Sequence, residues 1–308
     1  MDRLAAMRAF VTVVEEGGFT AAAARLRTSK SAVSAMVRDL EADLGVALLT
    51  RTTRRFNLTE AGARFKARAE QILADVEEAS AEASALTRQP RGQLRLSAGV
   101  SFGTLHLGCA VATFCAQYPG MEVDINLSDR FVDLVEEGFD VAVRIGSLSD
   151  SSLVARRLSH THRVVVASPA YLNEHGTPSR PEELTRHNCL GYSLLASGVR
   201  WRFVDDGRVM DINVTGRLSS NNGDLLRDAA VNGVGLYMAP TFIVHEDLRA
   251  GRLVPVLTRF MPPPLDIHAV FPASRYVSGK LRAFVDHLVD HFRGPPRWEE
   301  GLDFIVQK

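Results

Sequence analysis

The sequence predicts an α/β protein that begins with an all-α winged helix-turn-helix domain. Within the first 60 residues, two short helical patterns flank a tight turn and are followed by a basic segment with apolar ends. Beyond residue 92, strand and helix patterns alternate, which is typical of α/β folds with mostly parallel sheets. The 308 residues, 46% of them apolar, suffice for two domains with sizeable cores.

The first two helices are predicted from periodicity and from the residues that interrupt it. Apolar side chains recur at helical spacing over residues 2–15, and Gly17 and Gly18 then stop the helix. We expect Thr20 to cap a short second helix, Ala21–Leu26. Its consecutive alanines give it a thin profile that another helix can approach closely.

The third helix and the segment after it complete the predicted domain. A turn at Arg27-Thr28 precedes Ser29, which is expected to cap a helix running to about Leu44, and Gly45 is expected to end it. The run 48–59 has apolar ends and a basic tip, as in a β-wing. Hydroxyls and cations on a helix suit the major groove, and arginines in a wing suit phosphates. Either feature alone is more often plain surface, so the order of the features carries the argument.

This N-terminal string resembles the winged helix-turn-helix of LysR-type transcriptional regulators. The matching residues are Phe10, Gly18-Phe19-Thr20-Ala21-Ala22-Ala23, Ser31-Ala32-Val33-Ser34, Leu40-Glu41, Leu44-Gly45, Arg51-Thr52 and Leu58-Thr59-Glu60-Ala61-Gly62. The sequence departs from the family pattern at Ala35, where members often carry Arg or Lys, and at Leu49, where Phe is common. Together the resemblance and the polar pattern imply DNA contacts from Thr20, Ser29, Lys30, Ser31, Ser34, Arg38, Arg51, Thr52, Arg54 and Arg55.

A long helix is predicted to connect the DNA-binding domain, residues 1–58, to the rest of the chain. Over residues 59–89 apolar and small residues recur in steps of four and three and form a narrow heptad seam. The seam consists of Phe65, Ala69, Ile72, Val76, Ala79, Ala83 and Leu86. We expect the seam to pair two chains, as the family does, although a helix lying on its own body would show the same pattern. A tetramer is expected beyond the dimer, but the seam supplies only one interface. Pro90 marks the boundary.

The body, residues 92–295, is predicted to contain many strands and several helices. The predicted strands are Leu94–Ala98, Glu122–Leu127, Asp140–Ile145, Leu153–Ala167, Cys189–Leu194, Trp201–Val204, Val209–Val214, Leu236–Met238, Leu253–Val256 and Asp266–Phe271. The predicted helices are Phe102–Tyr118, Phe131–Glu137, Pro181–His187, Asn222–Asn232, Thr241–Arg249 and Ser278–Phe292. Residues 296–308 are expected to form a loose tail.

The body resembles the effector domain of the same family, a two-lobe fold similar to the type 2 periplasmic binding proteins. The resemblance implies one lobe from 92–162 with 265–295, a second lobe from 163–264, and a small-molecule effector between them. Ligands of α/β folds lie beyond the carboxyl ends of the strands. The residues expected there are Val100, Ser101, Phe102, Asp129, Arg130, Arg144, Ile145, Gly146, Asn221, Asn222, Pro240 and Thr241.

Ser101 precedes a predicted helix, and this position suggests an anionic effector. Its hydroxyl and the first free amides would face the cleft and suit a carboxylate, with added charge from Arg130 and Arg144. Each arginine could equally pair with Asp129 or Asp140, and Ser101 could be a plain N-cap. The anionic effector is therefore a hypothesis.

Charge and composition bound the remaining classes. Residues 1–68 hold 12 Lys and Arg against 7 Asp and Glu, so a basic module precedes a body with a net charge of −5. Three cysteines, an N-terminus unlike a secretion signal and no window near about 18 apolar residues predict a soluble cytoplasmic protein without membrane contact. No cofactor loop or nucleophile elbow is found. His287 and His291 have zinc-compatible spacing but lack a third ligand nearby.

The sequence therefore predicts a one-component transcription factor whose partners are double-stranded DNA, a small-molecule effector and further copies of itself. It is predicted not to be an enzyme and to need no cofactor or metal. The main alternative is a two-lobe solute-binding protein without DNA function, which leaves the basic module unexplained. An α/β enzyme and a regulator whose cleft is filled are weaker hypotheses. Neither the effector, the operator nor the sign of regulation follows from the residues.

Overall fold

A computed structural model describes residues 2–51, 56–84, 90–146, 153–194, 200–273 and 277–305. The chain divides into two compact units, residues 1–92 and 93–308. Each unit has its own hydrophobic core, which includes Phe10 in the first unit and Phe102 and Phe284 in the second.

The first unit holds four helices and a two-stranded ribbon. Its helices are α1 (Arg3–Glu15), α2 (Phe19–Arg25), α3 (Lys30–Leu44) and α4 (Glu60–Ser84), and its strands are β1 (Leu49–Arg51) and β2 (Phe56–Leu58). The side chains of Phe10, Val33 and Leu40 are fully buried at the centre of this unit. The two alanines Ala22 and Ala23 are buried as well, so α2 approaches its neighbours closely, as its thin profile predicts.

Helix ends in this unit follow local capping chemistry, with one correction. The Ser29 hydroxyl accepts a hydrogen bond from the Ala32 amide at 3.2 Å, and Gly45 ends α3 in the left-handed conformation, as predicted. The prediction that Thr20 caps α2 is wrong. The helix begins at Phe19 with Gly18 as its N-cap, so Thr20 lies inside the first turn, exposed to solvent.

The start of α4 is locked to the base of the ribbon. The Thr59 hydroxyl accepts from the Gly62 amide at 2.9 Å and donates to the Ala47 carbonyl at 2.8 Å. A Cβ atom added at Gly62 would overlap the Leu48 carbonyl oxygen. These contacts give a physical reason for Thr59 and Gly62 in the string Leu58-Thr59-Glu60-Ala61-Gly62.

The predicted seam of α4 is partly used within its own chain. Phe65 packs on Phe10 with ring centroids 5.8 Å apart, and Ala69 is fully buried against α1. Leu73, which the seam does not include, is buried there too, whereas Ile72 is 41% exposed. In the first half of the seam, the helix therefore packs against its own chain, which is the alternative to pairing with a second chain. Residues 85–89 of the predicted helix lie outside the described residues.

The second unit contains most of the strands. They are β3 (Gly92–Ala98), β4 (Met121–Leu127), β5 (Val141–Ile145), β6 (Leu153–Thr161), β7 (Arg163–Ala167), β8 (Cys189–Tyr192), β9 (Arg200–Asp205), β10 (Arg208–Asn213), β11 (Ser219–Ser220), β12 (Leu236–Pro240), β13 (Val254–Val256) and β14 (Leu265–Pro272). Its α-helices are α5 (Val100–Phe102), α6 (Gly108–Gln117), α7 (Pro169–His175), α8 (Gly223–Val231), α9 (Thr241–Arg249) and α10 (Gly279–His291). Short 3₁₀ helices cover Pro181–Arg186, Thr258–Phe260 and Arg297–Glu299.

These strands form two five-stranded sheets and a hairpin. The first sheet has the order β4-β3-β5-β14-β6, and the second has the order β11-β8-β12-β7-β13. The chain passes from the first sheet to the second at His162, between β6 and β7, and returns between β13 and β14. Strands β9 and β10 pair antiparallel, and Trp201 and Phe203 of β9 are buried. The architecture is a two-lobe α/β fold, with one five-stranded sheet in each lobe.

Several predicted elements differ from the structure. The predicted helix Phe131–Glu137 is only a single turn, Leu134–Gly138: the Asp133 carboxylate caps the amides of Val135 and Glu136 at its start, and Gly138 ends it with a φ of 70°. The predicted strand Leu153–Ala167 is two strands of different sheets. Helix α7 and strand β11 were not predicted, since both are very short.

The helical stretch Val100–Gln117 is the one described segment whose length and composition would allow it to cross a membrane. It consists of α5, a π-helical turn at Gly103–Leu107 and α6 in succession. Phe102, Leu107 and Phe114 of this stretch are almost fully buried in the main core of the second unit. The stretch is therefore a core helix of a folded domain.

The predicted loose tail is packed against the second unit. Trp298 and Leu302 are buried, and so is the carboxylate-bearing Glu299. The indole of Trp298 contacts Phe102 and His106, with ring centroids 5.7 and 4.7 Å away. The prediction of a loose tail is wrong for the described residues up to 305. Proline and charged residues near residue 294 indicate that the preceding helix ends there, but they do not reveal the aromatic contacts made by the residues that follow.

Candidate functional site

Helix α3 presents one apolar face and one polar face. Val33, Val37 and Leu40 point into the core and are fully buried. Ser31, Ser34 and Arg38 are spaced by three and four residues on another side of the helix and are exposed or half-buried. Small hydroxyls on an exposed helical face allow the backbone to come close to base edges.

The cations around this face differ in whether they are already paired. The Arg25 guanidinium pairs with Glu15 and Glu16 at 2.9 and 2.7 Å, so its charge is neutralised within the domain. Within the described part of the chain, neither Lys30 nor Arg38 forms an ion pair. These two exposed cations of α3 are therefore available to a polyanion.

The predicted wing is a short antiparallel ribbon. Leu49 pairs with Leu58 and Arg51 with Phe56. The Glu41 carboxylate of α3 accepts hydrogen bonds from the amides of Leu48 and Leu49 at 2.9 and 3.0 Å and so fixes the ribbon to α3. The predicted DNA contacts Thr52, Arg54 and Arg55 lie outside the described residues, as does the side chain of Arg51.

In the second unit, helices associated with both sheets meet at a polar cluster. The Asp129 carboxylate, after β4, accepts from the Val100 amide at 2.9 Å at the start of α5. The Ser101 hydroxyl donates to the Asp224 carboxylate of α8 at 2.9 Å. We call Ser101, Asp129, Tyr192, Asp224 and Tyr237 the cleft cluster.

The cleft cluster is acidic, tightly packed and largely withdrawn from water. Burial raises the pKa of Asp129, and the nearby Asp224 charge raises it further. Burial, with the Asp129 charge beside it, raises the pKa of Tyr192 to about 12. A Cβ atom added at Gly223 would lie 2.6 Å from Ile243 Cδ1, 3.3 Å from Tyr237 Oη and 3.4 Å from Ser101 Oγ.

This geometry corrects the predicted anion site. The helix N-terminus expected to receive a ligand carboxylate is already occupied by Asp129, and Ser101 donates to a second carboxylate. An additional anion would meet two acidic groups here. The cluster suits a group that donates hydrogen bonds.

Other predicted effector residues lie away from the cluster or are engaged elsewhere. Phe102 is a core residue in contact with Trp298 and Phe242. Arg130 forms two contacts with the Glu137 carboxylate, and Arg144 lies over the Phe131 ring at 5.5 Å.

The remaining predictions are likewise accounted for by local structure. Asn222 caps α8, while Pro240 occupies the N-cap position of α9. Thr241 is fully buried, and its hydroxyl donates to Glu299 at 2.7 Å. The Gly146 amide donates to the Asp266 carbonyl next to Ile145, whose side chain packs against the main core. Asn221 is exposed just before Asn222.

Sequence reasoning missed three members of the cleft cluster, namely Asp224, Tyr192 and Tyr237. Asp224 lies in the first turn of α8, two residues after the predicted site residue Asn222 and close to the end of β11. This position in the sequence could have identified it as a candidate site residue. Tyr192 ends β8, and Tyr237 lies within β12. Nothing in their local pattern distinguishes them from core residues.

A cavity of about 200 Å³ lies elsewhere in the second unit, lined by Arg163, Arg200, Arg202 and Asp211. Asp211 holds Arg202 through two hydrogen bonds of 2.8 and 3.0 Å. Burial and the Arg202 charge lower the pKa of Arg163. This cavity is therefore lined by three arginines and one aspartate, whereas the predicted anion site contains two carboxylates.

The zinc-compatible pair on α10 has a packing role. His287 Nε2 lies 2.8 Å from the Ala110 carbonyl and 3.1 Å from the Thr113 hydroxyl, so it joins α10 to α6. His291 stacks beside it with ring centroids 6.3 Å apart.

Comparison with known proteins accounts for both units. The family model described as bacterial regulatory helix-turn-helix protein, lysR family, matches residues 4–63, and that described as LysR substrate binding domain matches residues 87–293. The chain belongs to the LysR family of transcriptional regulators.

Curated relatives extend the match over nearly the whole chain. The transcriptional regulator PtxR of Pseudomonas aeruginosa is 36% identical over 94% of this chain and 92% of its own length. The regulator CrgA of Neisseria meningitidis serogroup C is 37% identical over 91% of this chain and 94% of its own length.

Solved structures agree with this assignment. The structure of CrgA from Neisseria meningitidis matches with a TM-score of 0.62 and 34% identity, covering 94% of this chain and 98% of that one. The full-length structure of the Vibrio cholerae virulence activator AphB matches with a TM-score of 0.58 and 28% identity, covering 94% and 99%. This LysR-type protein is thus a DNA-binding transcriptional regulator with an effector-binding domain, and not an enzyme.

Proposed function

We propose that this regulator reads DNA through the polar face of α3 and grips the flanking phosphates through the wing. The observation that carries the proposal is the presence of Lys30 and Arg38 as exposed cations without ion pairs among the described residues, beside Ser31 and Ser34. The hydroxyls would meet base edges, and the cations would meet phosphates. Ser29, whose hydroxyl lies 2.9 Å from that of Ser31, would help to orient it.

The salt dependence of DNA binding tests the roles of these residues. Arg38→Ala should weaken binding to all duplexes and reduce the slope of log affinity against log salt by about one, because one phosphate contact is lost. Arg51→Ala and Arg54→Ala should each do the same. Ser34→Ala should alter the preferred sequence with the slope unchanged. Fluorescence anisotropy with fragments selected from a genomic pool measures both.

Arg25→Ala is the matched control, since Arg25 is already neutralised by two carboxylates. Its salt slope should equal that of the parent. If Arg38→Ala also retained the parent slope, α3 would not be the phosphate-contacting helix. If the chain ignored every duplex at low salt, the proposal would fail as a whole.

We infer that two chains pair through α4, that a tetramer forms from two such dimers, and that the protein acts in the cytoplasm where its operators lie. Two recognition helices about 34 Å apart are needed for a pseudo-palindromic site, and one chain supplies only one. The exposed Ile72 supports the pairing, since the preceding part of the seam is already buried within the chain.

For the effector, we propose that it binds at the cleft cluster and replaces the hydrogen bond between Ser101 and Asp224. That bond links helices associated with the two sheets, so a ligand that displaced it would favour a different arrangement of the lobes. The half-buried carboxylates of Asp129 and Asp224 favour a ligand with ammonium, guanidinium or hydroxyl donors.

Calorimetric titration with small amines, carboxylates and neutral aromatic compounds tests the ligand class. Asp224→Asn should abolish binding of the active donor ligand, whereas Arg163→Gln, in the separate basic cavity, should leave its affinity unchanged. Binding confined to carboxylates and lost with Arg163→Gln would contradict the proposal and assign the effector to the basic cavity.

A further inference from the structure

His160, His162 and Glu299 meet where the chain passes from the first sheet to the second. His160 lies near the end of β6, His162 lies between β6 and β7, and Glu299 belongs to the 3₁₀ helix of the C-terminal segment. His160 Nε2 is 3.6 Å from one Glu299 carboxylate oxygen, and His162 Nδ1 is 3.0 Å from both. The three potential ligand atoms all lie within 4.8 Å of one another.

We propose that His160, His162 and Glu299 bind a divalent transition-metal ion, with Zn²⁺ as the best match. Zinc bonds of about 2.0–2.1 Å at tetrahedral angles place neighbouring ligand atoms about 3.3 Å apart. The observed separations bracket this spacing, so only small side-chain movements are required. Two imidazoles with a carboxylate suit Zn²⁺ and its transition-metal neighbours better than Mg²⁺ or Ca²⁺, which prefer oxygen ligands.

The carboxylate is already oriented by other parts of the fold. The Glu299 oxygen Oε1 accepts from the Thr241 hydroxyl at 2.7 Å and from the His162 amide at 2.8 Å. Such bonds to a ligand carboxylate fix its orientation, which is a property that a metal site needs.

The charge of this carboxylate is incompletely balanced by the protein. The Glu299 side chain is only 4% exposed, and within the described ranges its ion-pair partners are the two histidines. A buried carboxylate without a permanent cation is costly, and a divalent ion would remove that cost.

An ion can reach the site, and one neighbour would oppose it. The side chains of His160 and His162 are 28% and 17% exposed, so solvent can supply the metal and the remaining water ligand. The Arg157 guanidinium lies 3.4 Å from His160 Nδ1 and pairs with Asp266. Arg157 is more than half exposed and can move aside, but its charge repels a cation.

The bound ion would connect three parts of the second unit. It would join the end of β6, the link between the sheets and the C-terminal segment, with Thr241 at the start of α9 as an outer support. Metal binding would therefore hold the C-terminal segment against the link between the lobes. The site is separate from the cleft cluster and from the DNA-binding helix α3 in its residues.

Titration of the metal-free, full-length protein with Co²⁺ and Zn²⁺ tests the proposal. We expect one equivalent of Co²⁺ to give the visible absorption bands of a four-coordinate nitrogen–oxygen site, and Zn²⁺ to displace it. His160→Gln, His162→Gln and Glu299→Gln should each weaken Zn²⁺ binding at least tenfold in calorimetry. Arg157→Ala should strengthen it several-fold, an effect that a folding defect would not produce.

His287→Gln is the matched control, because His287 and His291 have zinc-compatible spacing on α10. Its Zn²⁺ affinity should equal that of the parent. No saturable 1:1 binding, equal affinity in all variants, or loss with His287→Gln alone would overturn the proposal. Because these experiments measure metal binding, their outcome does not depend on whether the proposals for DNA and effector binding are correct.

Discussion

Single side chains explain much of the motif by which the N-terminal unit resembles its family. Thr59 caps α4 and also reaches the Ala47 carbonyl, and Gly62 allows α4 to cross the Leu48 backbone. Glu41 binds two amides at the base of the ribbon. None of these residues is among the predicted DNA contacts, yet each holds the wing against its neighbouring helices.

We predict that Gly62→Ala lowers the free energy of unfolding of the first unit by about 2 kcal/mol or more. The new methyl group would overlap a backbone carbonyl that cannot move away easily. Amide hydrogen exchange in α1 and α3 should accelerate about 30-fold or more. Gly18→Ala is the control, since nothing lies within 4 Å of a Cβ there and the backbone is extended. Equal exchange in the two variants would contradict the close approach.

Glu41→Ala should release the base of the wing while leaving α3 helical. Two hydrogen bonds to a charged acceptor are lost, which costs about 1.5–3 kcal/mol. We expect DNA affinity to fall for every sequence and amide exchange at Leu48 and Leu49 to accelerate. Glu60→Ala removes a carboxylate that is exposed and pairs only with Arg64 among described residues, and it should change neither quantity.

Among helices and strands, α4 carries an apolar stripe that is only partly buried within its own chain. Its first half, with Phe65 and Ala69, packs on α1 of the same chain. The buried positions then continue at Leu73 rather than at Ile72, which is exposed. The heptad pattern does not reveal which of these neighbouring residues the core takes.

Ile72→Arg should therefore weaken chain pairing, because a charged side chain would face the partner helix. Sedimentation velocity should show a shift toward monomer at micromolar concentration, with far-UV circular dichroism unchanged. Ala74→Arg lies on the opposite side of α4 by helical periodicity and should leave the association state unaltered. Dissociation caused by Ala74→Arg alone would refute this pairing face.

At the scale of the whole molecule, the C-terminal segment buries an ionisable side chain of the second unit, His106. Trp298 covers Phe102 and His106, whose Nε2 lies 3.0 Å from the Phe242 carbonyl. Burial lowers the pKa of His106 below its ordinary value of 6.5. The unfolded chain therefore takes up this proton before the folded chain does as the pH falls.

This histidine makes the stability of the second unit dependent on pH. The stabilisation is complete above about pH 6.5 and is lost as the pH falls from there to the folded pKa, by up to about 1.4 kcal/mol per pH unit for one proton. Both tryptophans, Trp201 and Trp298, lie in this unit, so urea unfolding followed by tryptophan fluorescence reports on it. His106→Gln should flatten the decline, and an unchanged decline would contradict the assignment.

Secondary structure could be predicted from the sequence wherever residues close together in the chain determine it. The cap at Ser29, the stop at Gly45, the helix Thr241–Arg249 and the alternating strand Asp140–Ile145 all depend on residues a few positions apart. At Phe131–Glu137 the same local signals give only a single turn, because Asp133 caps its start and Gly138, with a φ of 70°, ends it.

Contacts between distant residues could not be obtained in this way. Ser101 meets Asp224 across 123 positions, and His162 meets Glu299 across 137. These pairings convert a predicted anion site into an acidic cluster and a predicted loose tail into a packed segment. Composition, periodicity and family resemblance identified a DNA-binding regulator with two lobes. Only the packing of the sheets and the C-terminal segment decided which buried charges meet, because burial and partner distance are properties of the folded chain.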